Sequence, residues 1–302
     1  MTSFDDRYPS AAQSRMPVSK TDKIVTLSLA NGSSVEIYLH GATISSWKAP
    51  AAGTTEPVHE RLFLSAKSAL DGSKPLRGGI PIAFPFFGPP VKPEHKSMGQ
   101  HGFARSEKWQ FDSVVMDNEA GVSVRFTLDP TESIKSVFPQ SFHLIYVVTL
   151  STHQLVTDLH VNNISTEVLT HQTLFHTYFA CDSSTVTVSP LKGLTYLDKT
   201  KGNAESVEER DEVDVKMYTD RIYKNAGGSY TIKYPGGGIH IKTQGFNDVV
   251  VWNPQADAGK ALVDMEDGGW DRYICVEPGM ATYWNEIPAG GKWSGQQVLQ
   301  TL

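Results

Sequence analysis

A two-residue hydrophobic period runs through most of this chain and limits what it can fold into. The period is clearest in GVSVRFTLDP (121–130), where one set of alternate residues is apolar and the other set is polar. Successive side chains of a β-strand point to opposite faces, so the pattern predicts strands with one buried face and one face toward water. The apolar set of this segment is Val122, Val124, Phe126 and Leu128.

Turn signals separate the alternating segments and predict hairpins. The dipeptide Asn31-Gly32 lies between two alternating runs, which is a strong hairpin signal. Two further hairpins are predicted, one turning at 151–153 and one at 235–238. Many short strands joined by tight turns predict an all-β fold, a sandwich or barrel of antiparallel sheets.

Helical periodicity is scarce in the same sequence. We expect only short helical turns, near 63–70 and 257–264, and a polar surface loop over 199–216. No Gly/Ser linker and no repeat of fixed period divides the 302 residues. We therefore expect one all-β domain over 21–302, preceded by a polar, Ser/Pro-rich flexible arm over 1–20.

The charge balance and the apolar content exclude several classes of protein. With a net charge of −6, the chain lacks the basic surplus that nucleic-acid binding needs. No apolar run approaches the ~18 residues of a membrane helix, and no signal-peptide-like segment begins the chain. We expect a cytoplasmic protein with no nucleic-acid or membrane partner. Cys181 and Cys275 lie in apolar runs and are expected to be buried thiols, since two cysteines make no disulfide framework.

Two titratable residues in apolar surroundings are candidates for proton transfer. His176 lies within LFHTYFACD (174–182), and Glu277 ends the apolar run ICV (274–276). Burial disfavours charged imidazole and keeps its pKa near or below ~6.5, which suits proton exchange at neutral pH. An imidazole and a carboxyl group brought together could perform general acid–base catalysis. Each has an ordinary alternative: a hydrogen-bonded core histidine, and a glutamate that caps a turn.

Several polar residues beside glycines or aromatic residues could bind a ligand. Arg77 and Arg105 each lie near glycine, which lets backbone amides approach an anion while guanidinium binds phosphate oxygens in pairs. His101 could donate to a sugar hydroxyl, and Asp220 could accept from one. The ordinary alternatives are surface arginines, a turn histidine and a surface ion pair of Asp220 with Arg221.

Motifs for other chemistries are missing from the sequence. It contains no C-x-x-C, H-E-x-x-H or G-x-S-x-G, and no phosphate-binding P-loop. A cupin-like metal site made of His95, His101 and His176 stays open, because a β-barrel could gather residues from separate strands. Our expectation is that the protein uses no metal and no cofactor.

Five segments follow one another along the chain: RGGIPIAFPFFGP, GQHGFAR, FHTYF, DRIY and the stretch from VWNP to CVEPG. In this order they resemble the aldose 1-epimerase (mutarotase) family, and most closely its branch acting on hexose 6-phosphates. The resemblance covers about residues 22–300. It implies a galactose-mutarotase-like β-supersandwich of antiparallel sheets with few short helices, and a reaction without a cofactor.

The resemblance also implies a reaction and roles for seven residues. His176 would be the catalytic acid and Glu277 the catalytic base, on opposite sides of one sugar-sized cleft. The reaction would interconvert the α and β anomers of a hexose 6-phosphate, glucose 6-phosphate above all, by ring opening. Two alternatives stay open: a non-catalytic sugar sensor on the same fold, and an epimerase of unphosphorylated aldoses. A monomer is expected. The positions that would bind the sugar or its phosphate are Arg77, Gln100, His101, Arg105 and Asp220.

Overall fold

Antiparallel strands make up most of the chain in a computed structural model that describes residues 17–302. The first twelve strands are β1 (Val18–Lys20), β2 (Ile24–Ser28), β3 (Ser34–Tyr38), β4 (Thr43–Ala49), β5 (His59–Glu60), β6 (Ile82–Ala83), β7 (Gln110–Asn118), β8 (Gly121–Leu128), β9 (Phe142–Leu150), β10 (Gln154–Asn163), β11 (Leu169–His171) and β12 (Leu174–Phe175). The next twelve are β13 (Tyr178–Ala180), β14 (Thr187–Ser189), β15 (Thr195–Asp198), β16 (Ala204–Val207), β17 (Val213–Asp214), β18 (Thr219–Tyr223), β19 (Ser229–Tyr234), β20 (Gly237–Gln244), β21 (Asp248–Asn253), β22 (Tyr273–Gly279), β23 (Asn285–Ile287) and β24 (Lys292–Thr301).

These strands form four sheets, and all their pairings are antiparallel. The nine-stranded sheet has the order β17-β14-β19-β20-β24-β10-β9-β8-β7, and the eight-stranded sheet has β16-β15-β18-β21-β22-β12-β6 with β13 also paired to β22. Strands β1 to β5 form the five-stranded sheet, and β11 pairs with β23. Side chains from the three large sheets meet in one apolar core. The all-β prediction is confirmed.

Helical segments are short in the described part of the chain. The α-helices are α1 (Glu132–Val137), whose N-cap Thr131 accepts from the backbone N–H of Ile134, and α2 (Gln255–Gly259). The second overlaps the helical turn predicted near 257–264, whereas 63–70 forms turns and isolated bridges instead of a helix. Within residues 17–302, no helix is both long and apolar enough to cross a membrane. Four 3-10 turns complete the set: Pro93–His95, Ala104–Ser106, Lys199–Lys201 and Gly269–Arg272.

The predicted hairpins are present. Strands β2 and β3 flank Asn31-Gly32, β9 and β10 flank residues 151–153, and β19 and β20 turn at Pro235-Gly236. The predicted apolar face of β8 is buried along its whole length. The two-residue period therefore located these strands because one of their faces packs into the core.

Two boundary predictions are wrong. The segment predicted as a surface loop, 199–216, contains β16 at the edge of the eight-stranded sheet and β17 at the edge of the nine-stranded sheet. Edge strands tolerate polar residues, so their sequence shows no apolar face. The predicted arm over 1–20 ends too late, because Val18–Lys20 pair with β2. Its residues 1–16 lie outside the described residues.

Strand β22 is buried on both faces, so its titratable side chains lie in buried surroundings. Ile274 and Val276 belong to the main apolar core. Cys275 and Glu277 alternate with them and therefore point to the opposite face of the eight-stranded sheet. Both cysteines are free; Cys275 is buried as predicted, while Cys181 is only half-buried.

Candidate active site

A cavity of about 230 Å³ lies on the face of the eight-stranded sheet opposite the main core. Loops and strand ends from distant parts of the sequence line it. The sequence analysis did not single out four of the residues that line it: Lys199, Tyr218, Trp252 and Leu262. The structure also brings every residue predicted for the site to this cavity: Arg77, Gln100, His101, Arg105, His176, Asp220 and Glu277.

Strand alternation explains how residues far apart in sequence share the cavity floor. Strands β18, β21 and β22 are neighbours in the eight-stranded sheet. Val250 lies opposite Glu277, and Trp252 lies opposite Asp220. Alternate residues of the same strands, such as Val276, point into the main core. The cavity side chains are therefore held by a sheet whose other face is fully packed.

His176 and Glu277 are in direct contact. His176 Nδ1 lies 3.3 Å from Glu277 Oε1. The imidazole stacks on Tyr178 with the ring centroids 4.8 Å apart, and Trp252 meets it edge-on. The prediction that the two groups lie on opposite sides of a cleft is therefore wrong, since no sugar fits between Nδ1 and Oε1. A bound sugar must approach both groups from the open part of the cavity.

The protonation of this pair follows from its burial. Burial lowers the pKa of His176 well below 6.5, and the charges of Arg105 and Arg77 lower that pKa further. Burial also raises the pKa of Glu277 well above 4.5, with the negative charge of Asp220 acting in the same direction. The cavity thus favours a neutral imidazole and a protonated carboxyl group. The pair then holds one proton between two groups that can both exchange it.

The two arginines of the cavity differ in how their charge is balanced. Arg77 Nε donates to Asp264 Oδ1 at 3.1 Å, and its Nη1 donates to the Tyr178 hydroxyl at 3.2 Å. Burial alone lowers the pKa of Arg77, but Tyr178 and Asp264 outweigh burial and raise it above its ordinary value. Arg77 is therefore a charged side chain with a counter-ion already in place.

Arg105 has no such counter-ion in the described structure. Its Nη2 donates to the Gln100 backbone carbonyl at 2.8 Å, while its buried Nε has no hydrogen-bond partner among residues 17–302. Burial lowers the pKa of Arg105 to about 10, although Tyr178 opposes the effect; the charge of Arg77 adds to it. At neutral pH this side chain is a partly desolvated cation with an unused donor.

His101 is held as a neutral ring beside the pair. Its Nδ1 accepts from the Gly88 backbone N–H at 3.1 Å, so the ring hydrogen lies on Nε2. Nε2 lies 3.1 Å from the side-chain nitrogen of Gln100, which cannot accept a hydrogen bond, so the Nε2 hydrogen is not used by that contact. Burial lowers the pKa of His101 well below 6.5, and the charge of Arg105 adds to this effect. The ring meets His176 edge-on at 5.4 Å and can offer a hydrogen-bond donor without becoming charged.

Asp220 pairs with a lysine that the sequence analysis missed. Lys199 Nζ lies 3.2 Å from Asp220 Oδ2 and 5.0 Å from the centre of the Phe87 ring. Burial raises the pKa of Asp220, and the lysine charge counteracts that shift. The alternative of a surface ion pair between Asp220 and Arg221 is wrong, because Arg221 points to the other side of β18 and contacts Glu208.

The three histidines considered for a metal site do not come together. His95 stacks on Phe86 at 4.7 Å and lines a different cavity from His101 and His176. Among residues 17–302, one group of side chains has metal-ligand spacing: His176, Cys275 and Glu277, whose ligand atoms all lie within 4.8 Å of one another. This group was not predicted from the sequence.

Sequence comparison assigns the chain to a family. The sequence model of the aldose 1-epimerase family matches residues 23–300, nearly the whole chain. The chain belongs to the aldose 1-epimerase family. As a family member it is an isomerase of the epimerase class.

Relatives and solved structures support the same assignment. A protein from Cenchrus ciliaris named "Putative glucose-6-phosphate 1-epimerase" is 30% identical over 288 residues, which is 92% of this chain and 84% of the relative. A protein of the same name from Escherichia coli (strain K12) is 31% identical, over 81% of this chain and 79% of its own. The crystal structure of a "putative mutarotase (YeaD)" from Salmonella typhimurium has a TM-score of 0.82 at 25% identity, covering 94% of this chain and 92% of that one. The galactose 1-epimerase from Lactobacillus acidophilus NCFM shares the fold, with a TM-score of 0.70 at 14% identity over 92% of this chain and 94% of that one. The predicted mutarotase-like β-supersandwich is confirmed.

Proposed function

We propose that this aldose 1-epimerase family member interconverts the α and β anomers of a hexose 6-phosphate, with glucose 6-phosphate as the first substrate. The observation that carries this proposal is the charge of Arg105. The other cavity cations have partners, since Arg77 contacts Asp264 and Lys199 contacts Asp220. Glu277 is favoured in its neutral, protonated form.

An anion at Arg105 would complete this arrangement. Arg105 is half-buried, and a desolvated donor on a cation without a counter-ion is destabilising, so a cavity that keeps one is suited to an anionic ligand. A phosphate oxygen could accept from the unused Nε and from the guanidinium fork. A free aldose offers only neutral hydroxyl groups, which can accept a hydrogen bond but leave this charge without a counter-ion. The names of the two relatives, which both specify glucose 6-phosphate, are in agreement.

Phosphate binding would also prepare the acid–base pair. Burial lowers the pKa of His176 most and the positive charges of Arg105 and Arg77 lower it further, and a phosphate dianion near the arginines offsets the effect of their charges. The single proton of the pair can then move from Glu277 to His176. This gives the charged imidazolium and carboxylate that the family resemblance assigns as acid and base.

The proposed reaction moves this proton and the proton of the C1 hydroxyl, and returns both. Glu277 takes the proton of the C1 hydroxyl while His176 protonates the ring oxygen, and the bond between C1 and the ring oxygen breaks. Rotation about C1–C2 presents the other face of the aldehyde. In reclosure His176 takes the proton of the C5 hydroxyl, and Glu277 returns a proton to the former carbonyl oxygen. Each positioned acid or base contributes about 10²–10⁴ in rate, which is a large gain for a reaction that already proceeds slowly in water.

Anomer exchange measured by NMR on glucose 6-phosphate and on glucose tests the proposal. We expect wild type to accelerate exchange of the phosphorylated sugar, and Glu277→Gln to lose about 10²–10⁴ of that acceleration. The control is Glu209→Gln, an exposed glutamate outside the cavity, which should leave the rate unchanged. Absence of acceleration in wild type would support the sugar-sensor alternative. An equal kcat/KM for both sugars would favour an epimerase of unphosphorylated aldoses.

A further inference from the structure

A thiol lies directly beside the proposed acid–base pair. Cys275 and Glu277 are two residues apart in β22, so both point to the cavity face of the sheet. Cys275 Sγ, a carboxylate oxygen of Glu277 and a ring nitrogen of His176 all lie within 4.8 Å of one another. The proposed mechanism gives Cys275 no task.

Two atoms of this cluster lack partners that buried polar atoms normally have. Glu277 Oε2 and His176 Nδ1 are both buried and make no hydrogen bond within the described residues. Glu277 itself is only 1% exposed. An unsatisfied buried polar atom costs roughly 1–3 kcal/mol, so two of them on neighbouring side chains, whose own contact is made by Oε1, point to a missing ligand. A cation that accepts lone pairs from nitrogen, oxygen and sulfur would satisfy both.

We propose that Zn²⁺ binds His176, Cys275 and Glu277 together and thereby inhibits the enzyme. Imidazole, thiolate and carboxylate are the ligands that zinc takes in proteins. With metal–ligand distances of about 2.0–2.3 Å, two ligand atoms of a tetrahedral site lie roughly 3.5 Å apart. His176 Nδ1 and Glu277 Oε1 are already 3.3 Å apart, so Cys275 is the ligand that must close in.

Inhibition follows from the identity of the ligands. Zinc would occupy the lone pairs of His176 and Glu277 that proton transfer needs, and the thiol proton of Cys275 would pass to the buffer. This consequence rests on the proposed function, because it assumes that the two residues transfer protons. Zinc binding itself does not depend on that assumption.

Calorimetric titration with ZnCl₂ tests the site without reference to activity. We expect one zinc ion per chain in wild type, and an affinity lowered by at least about 100-fold in Cys275→Ser, since loss of even an outer ligand partner costs 10–100-fold. The matched control is Cys181→Ser, which removes the half-buried thiol outside the cluster and should bind zinc like wild type. Absence of zinc binding, or equal affinity in wild type and Cys275→Ser, would overturn the proposal.

A second measurement covers the case in which Cys275→Ser fails to fold. Co²⁺ added to Cys181→Ser should produce a thiolate-to-cobalt absorption band, because Cys275 is then the single thiol of the chain. A bound cobalt ion without that band would refute a site that includes Cys275.

Activity assays then separate inhibition from the proposed function. Zinc should abolish anomer exchange on glucose 6-phosphate, EDTA should restore it, and Cys275→Ser should need at least about 100-fold more zinc for the same effect. Activation by zinc, or loss of activity on chelation, would refute the inhibitory role and indicate a catalytic metal. If wild type catalyses no anomer exchange at all, the proposed function fails, while the calorimetric result still decides the zinc site.

Discussion

Replacing Arg105 with alanine should impair the reaction of a hexose 6-phosphate far more than that of free glucose. The side chain brings a buried Nε without a hydrogen-bond partner in the described structure and a charge without a counter-ion. A hydrogen bond between charged groups contributes about 1.5–3 kcal/mol. Taking 3 kcal/mol for the lost guanidinium–phosphate contact, kcat/KM for glucose 6-phosphate should fall roughly 150-fold, mostly through KM. The rate with glucose at a fixed neutral pH should change far less, because glucose carries no phosphate that could lose this contact.

The assay is anomer exchange by NMR, measured for both sugars over a range of concentrations. Arg125→Ala is the matched control, because Arg125 is 41% exposed and contacts Asp112 at the edge of the nine-stranded sheet. Its kinetics should equal those of wild type. A similar loss for both sugars in Arg105→Ala would refute the assignment of Arg105 to the phosphate and indicate a general role in cavity structure.

The same variant has an electrostatic signature that a merely structural defect would not produce. After burial, the charge of Arg105 is the main cause that lowers the pKa of His176, so its removal lets that pKa rise. With glucose as substrate, which has no phosphate to titrate, the acid limb of the kcat/KM profile should therefore move to higher pH. An unshifted acid limb would contradict the proposed coupling between the phosphate site and the imidazole.

Three further predictions follow from the same structure. The plot of kcat/KM against pH for wild type with glucose should be bell-shaped, because the pair is active only while His176 and Glu277 share one proton. On the acid side, below pH 6.5, kcat/KM falls as His176 binds a second proton; on the basic side, well above pH 4.5, it falls as Glu277 loses the shared proton. A plot independent of pH would contradict the shared proton. Lys199→Met should raise KM about tenfold for glucose and glucose 6-phosphate alike, because it leaves the half-buried Asp220 unpaired; a loss confined to the phosphorylated sugar would instead assign Lys199 to the phosphate. Gly102→Ala should lower the free energy of unfolding by more than roughly 2 kcal/mol. The Cβ of the new alanine would lie 2.2 Å from the Phe84 carbonyl oxygen, and the backbone there has a φ of +72°. Gly53→Ala is the control, because Gly53 has a φ of +73° but no atom near the position of the new Cβ; its free energy of unfolding should fall by only about 1 kcal/mol. Thermal unfolding of both variants checks this, and equal losses would refute the clash.

The sequence predicts this fold wherever a strand has one buried and one exposed face. Strand β8 is the clearest example, and the hairpin of β9 and β10 follows the same rule. Prediction failed at β16, whose four residues are all exposed, so neither alternation nor apolar content marks it as a strand. Its place is set by pairing with β15, a contact that local sequence does not encode.

The candidate site was predictable in its residues but not in its geometry. His176 and Glu277 could be named because each is a titratable residue in an apolar run. Their direct contact depends on the neighbouring positions of β12, β13 and β22 in one sheet, which no local pattern reveals. Gln100 came only from the family resemblance. Lys199 and Asp264 were missed because they stand in polar segments, where a charged residue gives no signal.

The acidic character of the whole chain and the anion site proposed in its cavity are compatible. At physiological ionic strength, charges more than about 8–10 Å apart are largely screened, so the net charge of −6 has little effect inside the cavity. Nearby charges determine how the cavity interacts with a ligand. The carboxylates of Asp264 and Asp220 are already paired with Arg77 and Lys199, Glu277 is neutral, and Arg105 has an N–H donor without a partner in the described structure. Because its surroundings are screened in this way, such a site does not attract a sugar phosphate from a distance. Its selectivity must therefore come from slow release after contact, and kinetic differences between phosphorylated and free sugars should reside in dissociation rather than association.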